Sequence, residues 1–292
     1  FKVAGGSIHH SIISDALVPS GLASSSLKMI TRGMNSQDNP FSKKWTIPEN
    51  HSCNNEITKS FEYIEARTQE AARLSGEISF NPRIRKKALY SLGEAFHALH
   101  DFYSHSNYVE WLIQNDKPLI PIDRRKIPAE IRTCYYMYEN IFCQEPFRSH
   151  EKNVELLEKT YPNVHFRTRK EYQNRKADSS LAQAIDYSLR PGQLLHMEIN
   201  KDNNKQLQGK VFSLKHGKTL HELAYQLAVD DTKIHWKQFE ELVIDMHGEK
   251  APLIISALKG CPITIKAKSR QVKTETVEER KRMISMPAAK GK

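Results

Sequence analysis

Apolar residues recur at helical spacing along most of this chain. Ile8, Ile12, Ile13, Ala16 and Leu17 share one side of a first helix, which must stop near Pro19 and Gly21. A polar connection from Gly33 to Asn55 follows, carrying Pro40 and Pro48. Ile57, Phe61, Ile64, Thr68 and Ala71 then mark an amphipathic helix running to about Leu74. Asn81-Pro82 is a start signal, with Asn as cap and Pro at the first helical position. Ile84, Ala88, Leu92, Ala95, Phe96 and Leu99 form the stripe of the helix it opens.

Residues 129–143 are aromatic-rich and read as helical, and 150–178 read as a polar excursion. A helix near Ser179 to Leu189 must end at Pro191-Gly192, and Asp202-Asn203-Asn204 marks a loop. A long periodic run covers Leu220, Leu223, Leu227, Ile234, Phe239, Leu242 and Val243. Only Leu253 to Ile265 has β-like composition, interrupted by Gly260 and Pro262. There are no internal repeats and no alternation of strands with helices. The class expected is mainly α, a multi-helix bundle with a short irregular or β-like C-terminal segment. The expected division is a helical domain over 1–250 and an extension over 251–292.

Charge sharpens that division. The 292 residues carry a formal +10. From Lys266 onward nine Lys/Arg face Glu275, Glu278 and Glu279, so the tail supplies +6 and the body +4. Such a tail is either a solvated extension or a binder of anionic lipid, nucleic acid or a partner. No stretch approaches the roughly 18 apolar residues of a spanning helix. Of the four cysteines, Cys134 and Cys143 are near enough to pair in an oxidising compartment, or are buried thiols. The absence of any Cys-x-x-Cys pair excludes a zinc ribbon.

The chemistry concentrates in Ala88 to Glu110, where His97, Asp101 and His105 stand at steps of four. Each such step advances about 40° beyond a full turn, so the three side chains share one helix face. Imidazole, carboxylate and imidazole are donors that zinc prefers. Phe96, Leu99, Phe102 and Tyr103 flank them, so the face is partly buried. Unpaired ionisable groups are costly there, and a metal ion is one remedy. His100 leaves the helix about 100° from Asp101 and is expected outside the cluster.

Leu92-Gly-Glu-Ala-Phe-His97-Ala-Leu-His-Asp101-Phe-Tyr-Ser-His105-Ser-Asn107 resembles the signature of HET-C-like proteins. More distantly, its His-x-x-x-Asp core is similar to the zinc-dependent phospholipase C and single-strand nuclease superfamily. That resemblance implies an all-helical fold holding two or three zinc ions. Asp101 would bridge two ions, with His97 and His105 on separate ones, and catalysis would depend on Asp101 and His97. The resemblance extends to His9, with His10 as the alternate by one position, and implies zinc ligation by the amine and carbonyl of Phe1 if that is the mature terminus. Pro48-Glu49-Asn50-His51-Ser52-Cys53-Asn54 is similar to a stretch supplying a ligand histidine and a carboxylate. His51 fits, whereas Cys53 stands in the acid's place, able to bind zinc as thiolate but poor as a general base. Glu198-Ile-Asn200-Lys201-Asp202 resembles a further stretch, which implies the last ligands from His216 and His221, with Glu222 as a fallback.

Ions in such a cluster activate water and neutralise phosphoryl oxygens, so phosphodiester hydrolysis is the expected reaction. The resemblance implies a phospholipase C-like enzyme, a secreted toxin or effector acting on phospholipid head groups at a membrane surface. Trp45, Trp111 and the Tyr135-Tyr136-Met137-Tyr138 run are candidates for an apolar entrance, or for core packing. The alternative is a non-catalytic HET-C-like recognition or cell-death protein whose metal holds the helices together. A nuclease is the third reading.

Overall fold

A computed structural model gives the chain's structure, and it describes residues 6–39, 41–78, 82–134, 180–189 and 196–260. These residues are mainly helical. The principal helices are α1 (Gly6–Leu17), α2 (Ser24–Asn35), α3 (Ile57–Ser75), α4 (Pro82–His105) and α5 (Tyr108–Gln114). They are followed by α6 (Leu181–Leu189), α7 (His196–Ile199), α8 (Leu220–His247) and α9 (Ala251–Lys259). Two 3-10 turns, Lys43–Thr46 and Pro48–His51, lie between α2 and α3. A two-residue antiparallel pair, β1 (Phe212–Ser213) with β2 (Lys218–Thr219), precedes α8. No helix among the described residues is long and apolar enough to cross a membrane.

The α4 helix is the axis of the molecule, packed by α2, α3 and α8. The sequence suggests a one-sided stripe, but from Ser91 to Glu110 every residue is buried. Phe96, Leu99, Phe102 and Tyr103 join Phe61, Ile64, Trp236 and Phe239 in one core. Each such side chain contributes roughly 1.5–3 kcal/mol of transfer free energy. That apolar jacket encloses the polar residues of α4 as well.

Two glycines bring α2 against α4. A Cβ on Gly33 would lie 2.0 Å from the Tyr90 carbonyl oxygen, and one on Gly93 2.1 Å from that of Ile30. The backbones therefore touch one helical turn before His97, and α2 ends beside it.

Two expectations need correction. Residues 129–134 are not helical; Thr133 instead forms a bridge with Ser106, and residues 135–143 lie outside the described part. The β-like segment is also overturned where it is described, because residues 251–259 form α9. Pro252 sits in the first turn and Gly260, at φ 90°, closes the end. The last carbonyls of α9 are taken by the body: Ala23 N–H donates to Lys259 O at 2.7 Å, Ser26 Oγ to Leu258 O at 2.7 Å and Arg85 Nε to Ala257 O at 2.6 Å. Orphan carbonyls of a helix end need such donors. The helix that replaces the expected strand is thus packed with the body.

Candidate metal centre

His97, Asp101 and His105 do share a face of α4, and three other elements bring donors to it. Helix α1 supplies His9, the turn after α2 supplies Asp38, and the second 3-10 turn supplies His51. The Gly33–Gly93 contact sets where Asp38 falls, 3.5 Å from His97 Nε2. Ser52 adopts a left-handed conformation (φ 47°) and donates from Oγ to Ala98 O at 2.7 Å, fastening the His51 turn to α4.

Asp101 is the hub. Its Oδ1 lies 3.4 Å from His9 Nε2, and its Oδ2 lies 3.0 Å from His97 Nε2, 3.3 Å from His51 Nδ1 and 3.8 Å from His105 Nδ1. His51 Nδ1 and His97 Nε2 are 3.1 Å apart. These edges match the separation of neighbouring ligands on one ion, about 3.3 Å for bonds near 2.0–2.1 Å.

The hydrogen-bond network fixes two tautomers. Thr232 Oγ1 donates to Ala228 O at 2.6 Å, so it accepts from His100 Nε2–H at 2.9 Å. The His100 Nδ1 lone pair then accepts from His9 Nδ1–H at 3.2 Å. His9 Nε2 is left with a lone pair facing the Asp101 carboxylate. Two acceptors face each other in a buried site, an arrangement a cation relieves. His100, expected outside the cluster, orients one of its ligands.

Electrostatics agree with that assignment. Burial, then the charge of His97, hold the pKa of His9 down, and burial with His9 as neighbour holds His100 well below the usual histidine range. Burial also works against a charged His97, but the carboxylates of Asp101 and Asp38 outweigh it and raise it to about 9. His105 is raised to about 10, where burial is outweighed by Asp101 and Asp202. Burial alone would raise Asp101; the charges of His97 and His105 hold it well below the usual carboxylate range. The metal-free cluster thus keeps protons where an ion would sit.

A second donor group abuts the first. Asn55 N–H donates to Thr133 Oγ1 at 2.9 Å and Thr133 N–H to Asn55 Oδ1 at 2.7 Å, which brings the Cys53 loop against Cys134. The two sulfurs are 3.0 Å apart, with Cys53 Sγ 3.8 Å from His105 Nδ1 and Cys134 Sγ 3.4 Å from His196 Nδ1. Helix α7, which carries His196, is held by Lys201. The Lys201 ammonium is fully buried and donates to Ser106 O at 2.6 Å and to Glu110 at 3.3 Å. Burial pushes the Cys134 thiol up, but the Cys53 hydrogen bond and the imidazoles of His196 and His105 hold it well below the usual thiol range.

The structure therefore gathers His9, His51, Cys53, His97, Asp101 and His105. The alternate His10 is exposed and bonded to Thr31. Phe1 lies outside the described residues. His216 and His221 are not part of any close donor group among the described residues. His216 lies in the β1–β2 turn, and His221 Nδ1 meets Lys201 O at 2.7 Å. Glu222 caps α8 and is exposed. Sequence reasoning missed Asp38, Cys134, His196 and Asp202 as donors. Asp202 was within the quoted 198–202 stretch, and its carboxylate approaches His105 Nε2 at 3.4 Å. Comparison of the chain with protein-family models, with curated proteins and with solved structures finds no match.

Proposed function

We propose that the chain is a zinc-dependent phosphodiester hydrolase, related to HET-C-like proteins and of phospholipase C-like type. The observation that carries this reading is the buried Asp101 carboxylate lying within 3.4 Å of ring nitrogens of His9, His51 and His97. Divalent ions bound there would supply Lewis acidity, lowering the pKa of water and neutralising phosphoryl oxygens. His100 and Thr232 keep His9 in the ligating tautomer, and Asp101 holds the centre of the donor set. Asp38 is more open to solvent than Asp101, its side chain 23% exposed, and lies 3.5 Å from His97. It is suited to accept a proton from the attacking water, a role for which Cys53 is poor. Phospholipid head groups as substrate, and action outside the cell, rest on the motif of α4; Trp45 and Trp111, both partly exposed, would line the approach.

One observation favours the non-catalytic alternative. His9, His51, His97 and Asp101 are each at most 4% exposed, as in closed structural sites. An assay separates the two readings: the full chain, analysed for zinc, is tested on phosphatidylcholine, an unactivated phosphodiester and single-stranded DNA, with and without chelator. Hydrolysis should require metal. Asp38→Asn should lower it by about 10²-fold or more. A zinc-loaded chain inert on all three substrates would establish the structural role, and turnover by metal-free protein would overturn both readings.

A further inference from the structure

We propose that Cys53, His105, Cys134 and His196 form a separate, closed zinc site that ties both ends of the 135–195 stretch to the C-terminus of α4. The four residues come from four places: the loop before α3, the last turn of α4, the segment after α5, and α7. Each offers one ligating atom, and these atoms lie within 4.8 Å of one another. Cys53 and Cys134 are fully buried and His105 is 5% exposed. Both of the cysteines described fall in this group, and neither is in a disulfide.

The donor set is chemically selective. Two thiolates and two imidazoles suit zinc over magnesium or calcium, and two thiolates neutralise a dication. The spacing is close to what is required. The sulfur–nitrogen separations of 3.4 and 3.8 Å already bracket the edge of a tetrahedral site, about 3.5 Å. The sulfurs, at 3.0 Å, need to part by less than about 1 Å to reach a dithiolate edge near 3.8 Å. His105 Nε2 meets the Asp202 carboxylate at 3.4 Å, the outer-sphere partner that leaves Nδ1 free to ligate. Asn200 Nδ2 touches the far nitrogen of His196 at 2.7 Å.

A nucleophilic role for Cys134 beside His196 fits the same distances less well, since the sulfur has no exposure to substrate. A closed four-ligand site is structural. The ion would join residues 134 and 196 across the stretch between them and fix both to α4. Binding releases the thiol protons and any imidazole proton to solvent, with no redox change.

The test is spectroscopic and does not depend on turnover. The full chain is loaded with cobalt(II) or zinc. Thiolate-to-cobalt charge-transfer absorption, and zinc-edge sulfur scattering near about 2.3 Å, are expected. Cys53→Ser with Cys134→Ser should abolish both signals and lower bound metal by one equivalent. His51→Ala should lower metal at the Asp101 centre and leave the thiolate signals intact, so failure of one site is distinguishable from failure of the other. Wild-type protein lacking any sulfur ligation overturns the proposal, even where the double variant does not fold. Unchanged metal content in a folded double variant overturns it equally.

Discussion

Two buried histidine–aspartate clusters adjoin α4, and they differ in one respect. The first is the Asp101 centre. The second joins Arg124, Asp231, His235, Thr68 and Tyr103, the last leaving α4 about 200° round from Asp101. In the second cluster every acceptor has a donor. Asp231 accepts from Tyr103 Oη at 2.8 Å and from Arg124 Nη2 at 2.8 Å. Thr68 donates to Ile64 O at 2.7 Å and accepts His235 Nε2–H at 2.8 Å, leaving His235 Nδ1 to accept from Arg124 at 3.0 Å. An arginine cation closes that network from within the chain. At Asp101 the partners are instead ring nitrogens of His9, His51, His97 and His105, and the His9 lone pair faces the carboxylate. Similar residue types thus make a self-sufficient network in one place and a cation site in the other.

The largest expected effect comes from removing each carboxylate. Asp101→Asn should release metal and bring the zinc-loaded Tm down to the metal-free value. For an ion held at a thousand times its Kd this is a loss of about 4 kcal/mol. Asp231→Asn should destabilise by less, about 1–3 kcal/mol, because it weakens the bonds from the buried Tyr103 hydroxyl and the part-buried Arg124 guanidinium. Metal content, read by elemental analysis, separates the two: it should fall only for Asp101→Asn. Metal lost from Asp231→Asn, or kept by Asp101→Asn, breaks the comparison.

The pH dependence follows from the same contrast. In metal-free protein His97 and His105 titrate near about 9 and about 10, above the ordinary 6.5. Their contribution is present in full below pH 6.5 and fades as pH rises through those values. His9, His100 and His235 are held below 6.5, so their contribution is present above 6.5 and fades in acid. From His97 and His105 alone, metal-free stability should decline as pH rises toward 10, offset in part by the lowered Cys134 thiol, whose contribution grows with pH up to its ordinary value. Zinc requires deprotonated ligands, so the loaded protein should lose that alkaline decline. Denaturant unfolding of both forms across pH 5–10 checks the crossing. Parallel curves would show that no ion occupies the protons' place.

How much of this was legible in the sequence depends on distance along the chain. The steps of four at His97, Asp101 and His105 are a local pattern, and so are the helices built on Leu220 to Val243 and on Asn81-Pro82. His9 and His51 were reached by resemblance in order and spacing. Asp38 was not, because its position depends on the Gly33–Gly93 contact between two helices. Cys134 and His196 meet across a stretch of some sixty residues, and tertiary bonds such as the clamp of Lys201 on Glu110 and Ser106 hold α7 there. His216 and His221 attracted attention as the histidines following the 198–202 stretch, whereas His196 precedes it. The β-like reading of 253–259 failed because Ile254, Ile255 and Leu258 are also what a packed helix buries, and Pro252 suits a first turn.

A subtler pair of changes tests the tautomer argument. Thr232→Val removes the acceptor of His100 Nε2–H, and Thr68→Val removes that of His235 Nε2–H. Each leaves one buried donor unpaired, at about 1–3 kcal/mol. Only Thr232→Val disturbs the relay that presents the His9 lone pair, so it alone should weaken zinc binding, by about 10–100-fold. Competition titration with a chromogenic chelator reads the difference. Equal affinities in the two variants would sever His100 from the metal centre.

The smallest effect belongs to a carboxylate that the chain already employs elsewhere. Glu222 Oε2 accepts from Thr219 N–H at 2.7 Å, while Thr219 Oγ1 accepts from Glu222 N–H at 3.2 Å, completing a capping box at the start of α8. Helix α8 also carries Thr232 of the metal relay and Asp231 and His235 of the arginine network, so its N-terminal cap is common to both clusters. Glu222→Ala should cost about 1 kcal/mol of stability through the lost cap. It should leave zinc stoichiometry and affinity unchanged, because an exposed carboxylate bonded to its own helix start is not directed at the donor set. A fall in bound zinc for this variant would extend the metal centre to the first turn of α8, and the separation between a cluster closed by arginine and one closed by metal would no longer hold.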